Sequence, residues 1–124
     1  MNRLKVLYIF LCFLLIPSFV FASNLVSTKF LEDTLVALQN NNYENFIQHG
    51  DRTFVNAIKE EQFQLVSSQV GYHLSQGYKY EKLGQLKQHG HTVFIYKISY
   101  DGREDDSLVK MSLKNDKITG FWIQ

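Results

Sequence analysis

The amino-acid sequence predicts an α+β domain in which N-terminal helices pack on a curved antiparallel β-meander of about four strands. Three observations point there. In the first half of the chain apolar residues recur at helical steps of three and four, as in Phe63, Val66, Val70 and Leu74. From Tyr78 onward the period changes to two, most clearly between His91 and Tyr100. The strand candidates are separated by His89-Gly90, Asp101-Gly102 and Asn115-Asp116, residue pairs that suit tight turns.

Ahead of the domain, residues 1–22 read as a secretory signal peptide. Arg3 and Lys5 form a basic start, Val6 to Phe21 is an almost unbroken apolar run, and Ala22 before Ser23 supplies the small residue at the cut. The rival reading is an uncleaved membrane anchor, but this run of about 16 residues falls short of the roughly 20 that a spanning helix needs. Pro17 also breaks it near its end. Lipid attachment at Cys12 is disfavoured, because the bulky Phe10 and Leu11 stand where such a signal wants small residues. The expected product is exported, periplasmic or secreted, with cleavage after Ala22, no stable membrane anchor and a single domain over residues 23–124.

The helices follow in order. Ser27 or Thr28 is expected to cap the first, whose apolar stripe is Phe30, Leu31, Leu35 and Leu38. Glu32 and Asp33 lie in its first turn, where the helix dipole favours acids. Asn40-Asn41-Asn42 stops it, since asparagine tolerates the left-handed conformation. A short helix is expected from about Tyr43 to His49, with Tyr43, Phe46 and Ile47 on one side. Gly50 ends it, Asp51 caps the next turn, and Phe54, Val55 and Ile58 continue the stripe. The last helix runs roughly from Lys59 to Ser75, closed by Gly77. Gly71 within it predicts a bend or an early end, because glycine weakens a helix by up to about 1 kcal/mol relative to alanine.

Four strands complete the fold. Tyr78 to Gln88 alternates, with a slip at Lys82-Leu83-Gly84 that reads as a bulge. His91 to Tyr100 carries Thr92, Phe94, Tyr96, Ile98 and Tyr100 on one face and Val93 and Ile95 on the other, the pattern of an interior strand. Val109, Met111 and Leu113 alternate with Lys110, Ser112 and Lys114 in the third. In the fourth, simple alternation places Ile118, Gly120 and Trp122 on one face, and Phe121 and Ile123 on the other.

Composition narrows the function. Loss of the leader removes Cys12, the single cysteine, so no disulfide and no thiol ligand or nucleophile remains. It also removes Arg3 and Lys5, leaving 11 Lys and Arg against 12 Asp and Glu. Near-neutral charge without a basic cluster argues against nucleic acid as a partner. No cofactor is expected, and the chain contains neither a glycine-rich phosphate loop nor a serine-nucleophile elbow. The acids Asp101, Glu104, Asp105 and Asp106 lack the spacing of a calcium loop and enclose Arg103, which favours a solvated hairpin loop. His89 and His91 flank Gly90, but zinc wants three or four ligands and nothing nominates the others, so both read as turn histidines. His49 and His73 read as isolated histidines on helix surfaces.

Tyr43-Glu44-Asn45-Phe46 after an asparagine turn, the Leu83-Gly84 strand and the closing Leu113-Lys114-Asn115-Asp116-Lys117-Ile118-Thr119-Gly120-Phe121 resemble the nuclear transport factor 2-like superfamily. The resemblance spans most of the chain after the leader and rests on structural motifs. It implies a cone-shaped, cystatin-like α+β domain of the kind found in many small exported bacterial proteins of uncharacterised function. The chain is short for the full cone, which implies that a helix or an edge strand is missing. By analogy with members that place chemistry inside the cone, Tyr96, Tyr100 and Trp122 are the candidate ligand-binding residues. No aspartate or histidine shares the strand face of Tyr96, so no catalytic residue is assigned and a core role for the tyrosines competes. The leading expectation is a non-enzymatic domain that binds a small apolar ligand or an envelope protein. The alternatives are a small lyase or isomerase of the ketosteroid-isomerase kind, and an inhibitor or immunity-type protein acting through the Asp101 to Asp106 loop. Pairing of two copies through the sheet stands beside them.

Overall fold

The computed structural model describes residues 24–124. The signal peptide expected over residues 1–22 lies outside them. Helix α1 covers residues 24–39, followed by α2 (Tyr43–Ile47), α3 (Arg52–Ala57) and α4 (Glu60–Ser75). Four strands follow, β1 (Tyr78–Gln88), β2 (His91–Tyr100), β3 (Ser107–Lys114) and β4 (Lys117–Ile123). They form one open antiparallel sheet in the order β1-β2-β3-β4. The fold is α+β, with the helices gathered on one face of the meander. Among the described residues no helix is long and apolar enough to cross a membrane.

Local chemistry accounts for most boundaries. Asn41 adopts a φ of 52° after α1, and the Asn42 side chain accepts from the Asn45 amide to cap α2. Asp51 caps α3 in the same way, its carboxylate 2.8 Å from the Phe54 amide. Gly77 leaves α4 at a φ of 109°, which glycine adopts without strain. In the sheet, His89 and Gly90 turn at φ of 50° and 80°, and Asn115 and Asp116 at 52° and 58°. Positive φ at both central residues matches the right-handed twist of a two-residue hairpin.

The core lies between α1, α4 and the inner face of the sheet. Leu31, Leu35, Leu38, Phe46, Phe54, Phe63 and Leu74 from the helices meet Phe94, Tyr96, Ile98, Val109, Met111 and Ile118 from the strands. Val66 and Val70 pack against that cluster while remaining partly accessible. The ring of Phe46 is central, 4.9 Å from Phe63 and 5.6 Å edge-on from Phe121, so it joins α4 to β4. The expected slip in β1 is present, the register shifting between Lys82 and Gly84 so that Leu83 is the extra residue.

Three expectations need correction. Ser27 does not cap α1. The chain is already helical at residue 24, and Ser27 is buried inside the helix with its hydroxyl donating to Asn24 O at 3.0 Å. Gly71 does not end α4, which continues to Ser75. Its role is close approach, since a Cβ there would lie 2.9 Å from the carbonyl oxygen of Leu38 at the end of α1. Ser67, one turn earlier, donates its hydroxyl to the same oxygen at 2.6 Å. Strand β4 does not alternate simply. Leu113 pairs with Ile118 and Ser112 with Gly120, leaving Thr119 as an extra residue. Ile118, Phe121 and Ile123 therefore all serve the core, and Trp122 lies on the opposite, outer face.

Helix propensity alone predicts that Gly71→Ala stabilises α4. The structure predicts a net loss of about 1–2 kcal/mol, because overpacking against the Leu38 carbonyl outweighs roughly 1 kcal/mol of propensity. Urea unfolding of this variant, with Gly84→Ala as a control where a Cβ meets open space, measures the sign. Unchanged or raised stability would contradict the close approach.

Candidate functional site

Tyr96 and Tyr100 point to the inner face of β2, where both are buried. Tyr96 is 1% exposed, and its hydroxyl donates to Ser27 Oγ at 3.0 Å. Ser27 passes the chain on to the Asn24 carbonyl, so the hydroxyl ties β2 to the first described turn of α1. Burial raises the Tyr96 pKa above its usual value, although its hydrogen bonds with Ser27 and Thr28 work the other way. The Tyr100 hydroxyl donates to Ser107 Oγ at 2.8 Å across the end of the β2–β3 connection. Each hydroxyl is thus matched to a serine, an arrangement that holds elements together.

The titratable pairs on the helical side lie elsewhere. Tyr80 on β1 donates its hydroxyl to the Glu32 carboxylate on α1. That bond, with burial behind it, pushes the Tyr80 pKa up to about 12. Burial and the Glu32 charge also raise Tyr78. His49, expected to stand alone, is corrected by geometry: it stacks on Phe30 at 4.2 Å and lies 2.8 Å from Asp33. Burial pushes Asp33 up, but hydrogen bonds and charge from His49 and Lys29 outweigh it and hold the carboxylate below its ordinary value. His73 is half-buried on α4, its ring 5.8 Å from that of Tyr100. Apart from Lys29 with Asp33, which lies within α1, these contacts join separate elements.

Trp122 stands apart from the two tyrosines. The bulge at Thr119 places it on the outer face opposite Lys110, where it is 55% exposed. Its six-membered ring folds back over Gly120 and occupies the space a Cβ would need there. A glycine two residues before the tryptophan on the same face therefore lets the indole lie against the backbone. The Lys110 ammonium lies 5.7 Å from the ring centroid, within cation–π range.

Around that indole the outer face forms a concavity of about 330 Å³. Val93 contributes apolar floor, while Trp122 and Lys110 stand on one side and Gln88 and His89 at the hairpin end. His91 Nδ1 and Ser112 Oγ both contact Thr119 Oγ1, at 2.8 and 2.9 Å, so three polar side chains are held in one row. A second concavity of about 220 Å³ opens near the hairpin turns, between Val26 and Thr92, Leu113 and Asn115. The structure therefore brings Tyr96 and Tyr100 together on the closed face and separates Trp122 from them. Sequence reasoning missed Lys110, Ser112, Thr119 and Gly120. The signal for the bulge was there, in the spacing of three and then two between Ile118, Phe121 and Ile123. Among the described residues, no group of three or more His, Cys, Asp and Glu side chains is placed to hold a metal ion.

No family model matches the chain, and no curated protein matches it. Among solved structures it is similar to the crystal structure of an NTF2-like protein of unknown function from Cytophaga hutchinsonii. The two share 14% identity with a TM-score of 0.38, over 77% of this chain and 85% of that one.

A raised Tyr80 pKa links directly to stability. The folded chain keeps a proton that the unfolded chain loses near pH 10.0, so this contribution is intact below pH 10 and is lost as pH rises towards about 12. In Glu32→Gln, tyrosinate titration followed by ultraviolet absorbance should show the latest-ionising tyrosine moving back towards its ordinary value. The alkaline decline in stability should become shallower. An unchanged titration would mean that Glu32 does not hold Tyr80.

Proposed function

We propose that this chain is an exported, non-enzymatic domain that holds a small apolar ligand on the outer face of its sheet, against Trp122. The observation that carries this reading is the contrast between the two faces. The inner face is filled by its own side chains and its tyrosine hydroxyls are spent on serines. The outer face keeps an accessible indole beside a concavity of about 330 Å³, within the size range of small-molecule sites. Flat rings bind ligands with little loss of side-chain freedom.

Export is part of the same proposal. A basic start, an apolar run and Ala22 support it, and the described domain makes its first sheet contact at Asn24, which accepts from Lys82 Nζ at 2.7 Å. A cut after Ala22 would spare that contact. Edman sequencing of the protein from the extracytoplasmic fraction should begin at Ser23. A chain still beginning at Met1 would overturn cleavage of the leader, and absence of the protein from that fraction would overturn export.

The ligand half is tested by nuclear magnetic resonance. Trp122 is the single tryptophan, so its indole N–H gives one assignable signal. Titration with naphthalene-2-carboxamide, a neutral planar probe, should shift that signal saturably, and Trp122→Ala should weaken binding at least about tenfold, the loss expected for a buried aromatic contact. Shifts that cluster on the inner face, or binding that survives Trp122→Ala, would remove the outer face as the ligand site.

A further inference from the structure

Resting on the outer-face site proposed above, we infer that its ligand is a small organic anion, a flat apolar body carrying a carboxylate or a comparable acidic group. The inference comes from how charge and polarity are distributed around the concavity. Lys110 is the formal cation of its lining, and no carboxylate lines it. Among the described residues the ion pairs are Lys29 with Asp33, His49 with Asp33 and Lys97 with Glu81, so Lys110 is not neutralised by an acid. Lys97, also on this face of the central strands, already has Glu81 at 3.3 Å.

Geometry separates the concavity into an apolar half and a donor half. The Trp122 ring and Val93 offer surface for a planar body. The Lys110 ammonium lies only 5.7 Å from the centroid of that ring. A ring stacked on the indole therefore brings a directly attached acidic group towards the ammonium. Ser112 and Thr119 present hydroxyl groups on the same face, already aligned by their mutual contact and by His91. An anion here receives a charge-assisted contact without uncovering a competing carboxylate. A cation would instead meet Lys110 at short range, with nothing in the lining to compensate it. Gly120 completes the device, because a side chain there would displace the indole from its place against the strand.

The test compares two probes of the same shape. The purified chain is titrated with naphthalene-2-carboxylate and, separately, with neutral naphthalene-2-carboxamide, following the Trp122 indole signal. The carboxylate should bind about tenfold more tightly, the increment of a charge-assisted contact at a partly solvated site. Lys110→Met should bring the ratio close to one, Lys110→Arg should retain it, and circular dichroism should match across all three proteins. Equal affinities in the parent chain overturn the anion assignment and leave the outer-face ligand site standing. Failure of both probes to move Trp122 overturns the assignment and the site together. A parent chain that sediments as a dimer with its indole shielded from acrylamide quenching gives this face to a second copy and also overturns the assignment.

Discussion

Between Ser112 and Leu113, two adjacent residues of β3 face three residues of β4, and the extra one is Thr119. The strand is pinned at two points just ahead of this bulge. The Asn115-Asp116 turn fixes where β4 begins, with both residues at positive φ. The backbone of Ile118 is then clamped to the connection between α2 and α3. Its amide donates to His49 O at 2.7 Å, and its carbonyl accepts from Asp51 N at 2.9 Å. With the turn and the clamp fixed, a regular register would send Phe121 and Ile123 to water to keep Ile118 inside. Each such side chain is worth about 1.5–3 kcal/mol when fully buried. Those two partly buried residues together outweigh one locally disrupted pair of ladder bonds, so the strand bulges.

The same extra residue creates the division between the faces. Phe121 goes inward to meet Phe46, and Trp122 goes outward to lie over Gly120. Inward, the polar groups are settled: among the described residues, no buried side-chain nitrogen or oxygen lacks a hydrogen-bond partner. Tyr96 reaches Ser27, and Ser67 reaches the Leu38 carbonyl, so the tyrosine and serine hydroxyls act as fasteners between layers. Outward, a hydrophobic indole and an ammonium are left side by side with hydroxyls that contact one another. Core and candidate site are thus two products of one register decision.

Residues differ in how openly the sequence declares their place in the fold. Asp51, Asn42 and the two hairpin turns were legible because caps and tight turns depend on residues within three or four positions. The Leu83 bulge was legible because alternation visibly broke there. Ser27 was misread because its chemistry suits a cap, and what overrides that preference is Tyr96, 69 residues away. His49 looked solitary because Asp33 and Phe30 reach it only through tertiary packing. Trp122 was assigned to the wrong company because strict alternation was carried through β4, and a shift of one residue moves every later side chain to the other face. Gly71 was read as a weak point when it is a point of contact, a distinction visible only once α1 lies against it.

The placement of the outer site on the sheet has an energetic consequence. Lys110, Ser112 and Trp122 sit on β3 and β4, paired strands rather than loops, so the ladder holds their backbone whether or not anything is bound, and Thr119 is the bulged residue between paired neighbours. The entropy of ordering the site is therefore already charged to folding, so a ligand has only its own freedom and a few side-chain rotamers to lose. Such a site gains specificity from fixed spacing and gives up the ability to adapt. The selectivity of the proposed site would then follow from what the strands hold in place: the width of one indole, the reach of one ammonium and the row of hydroxyls between them. Stability belongs to the opposite face, where Phe46, Tyr96 and Ile118 are buried. The bulge at Thr119 keeps the register that separates the two faces.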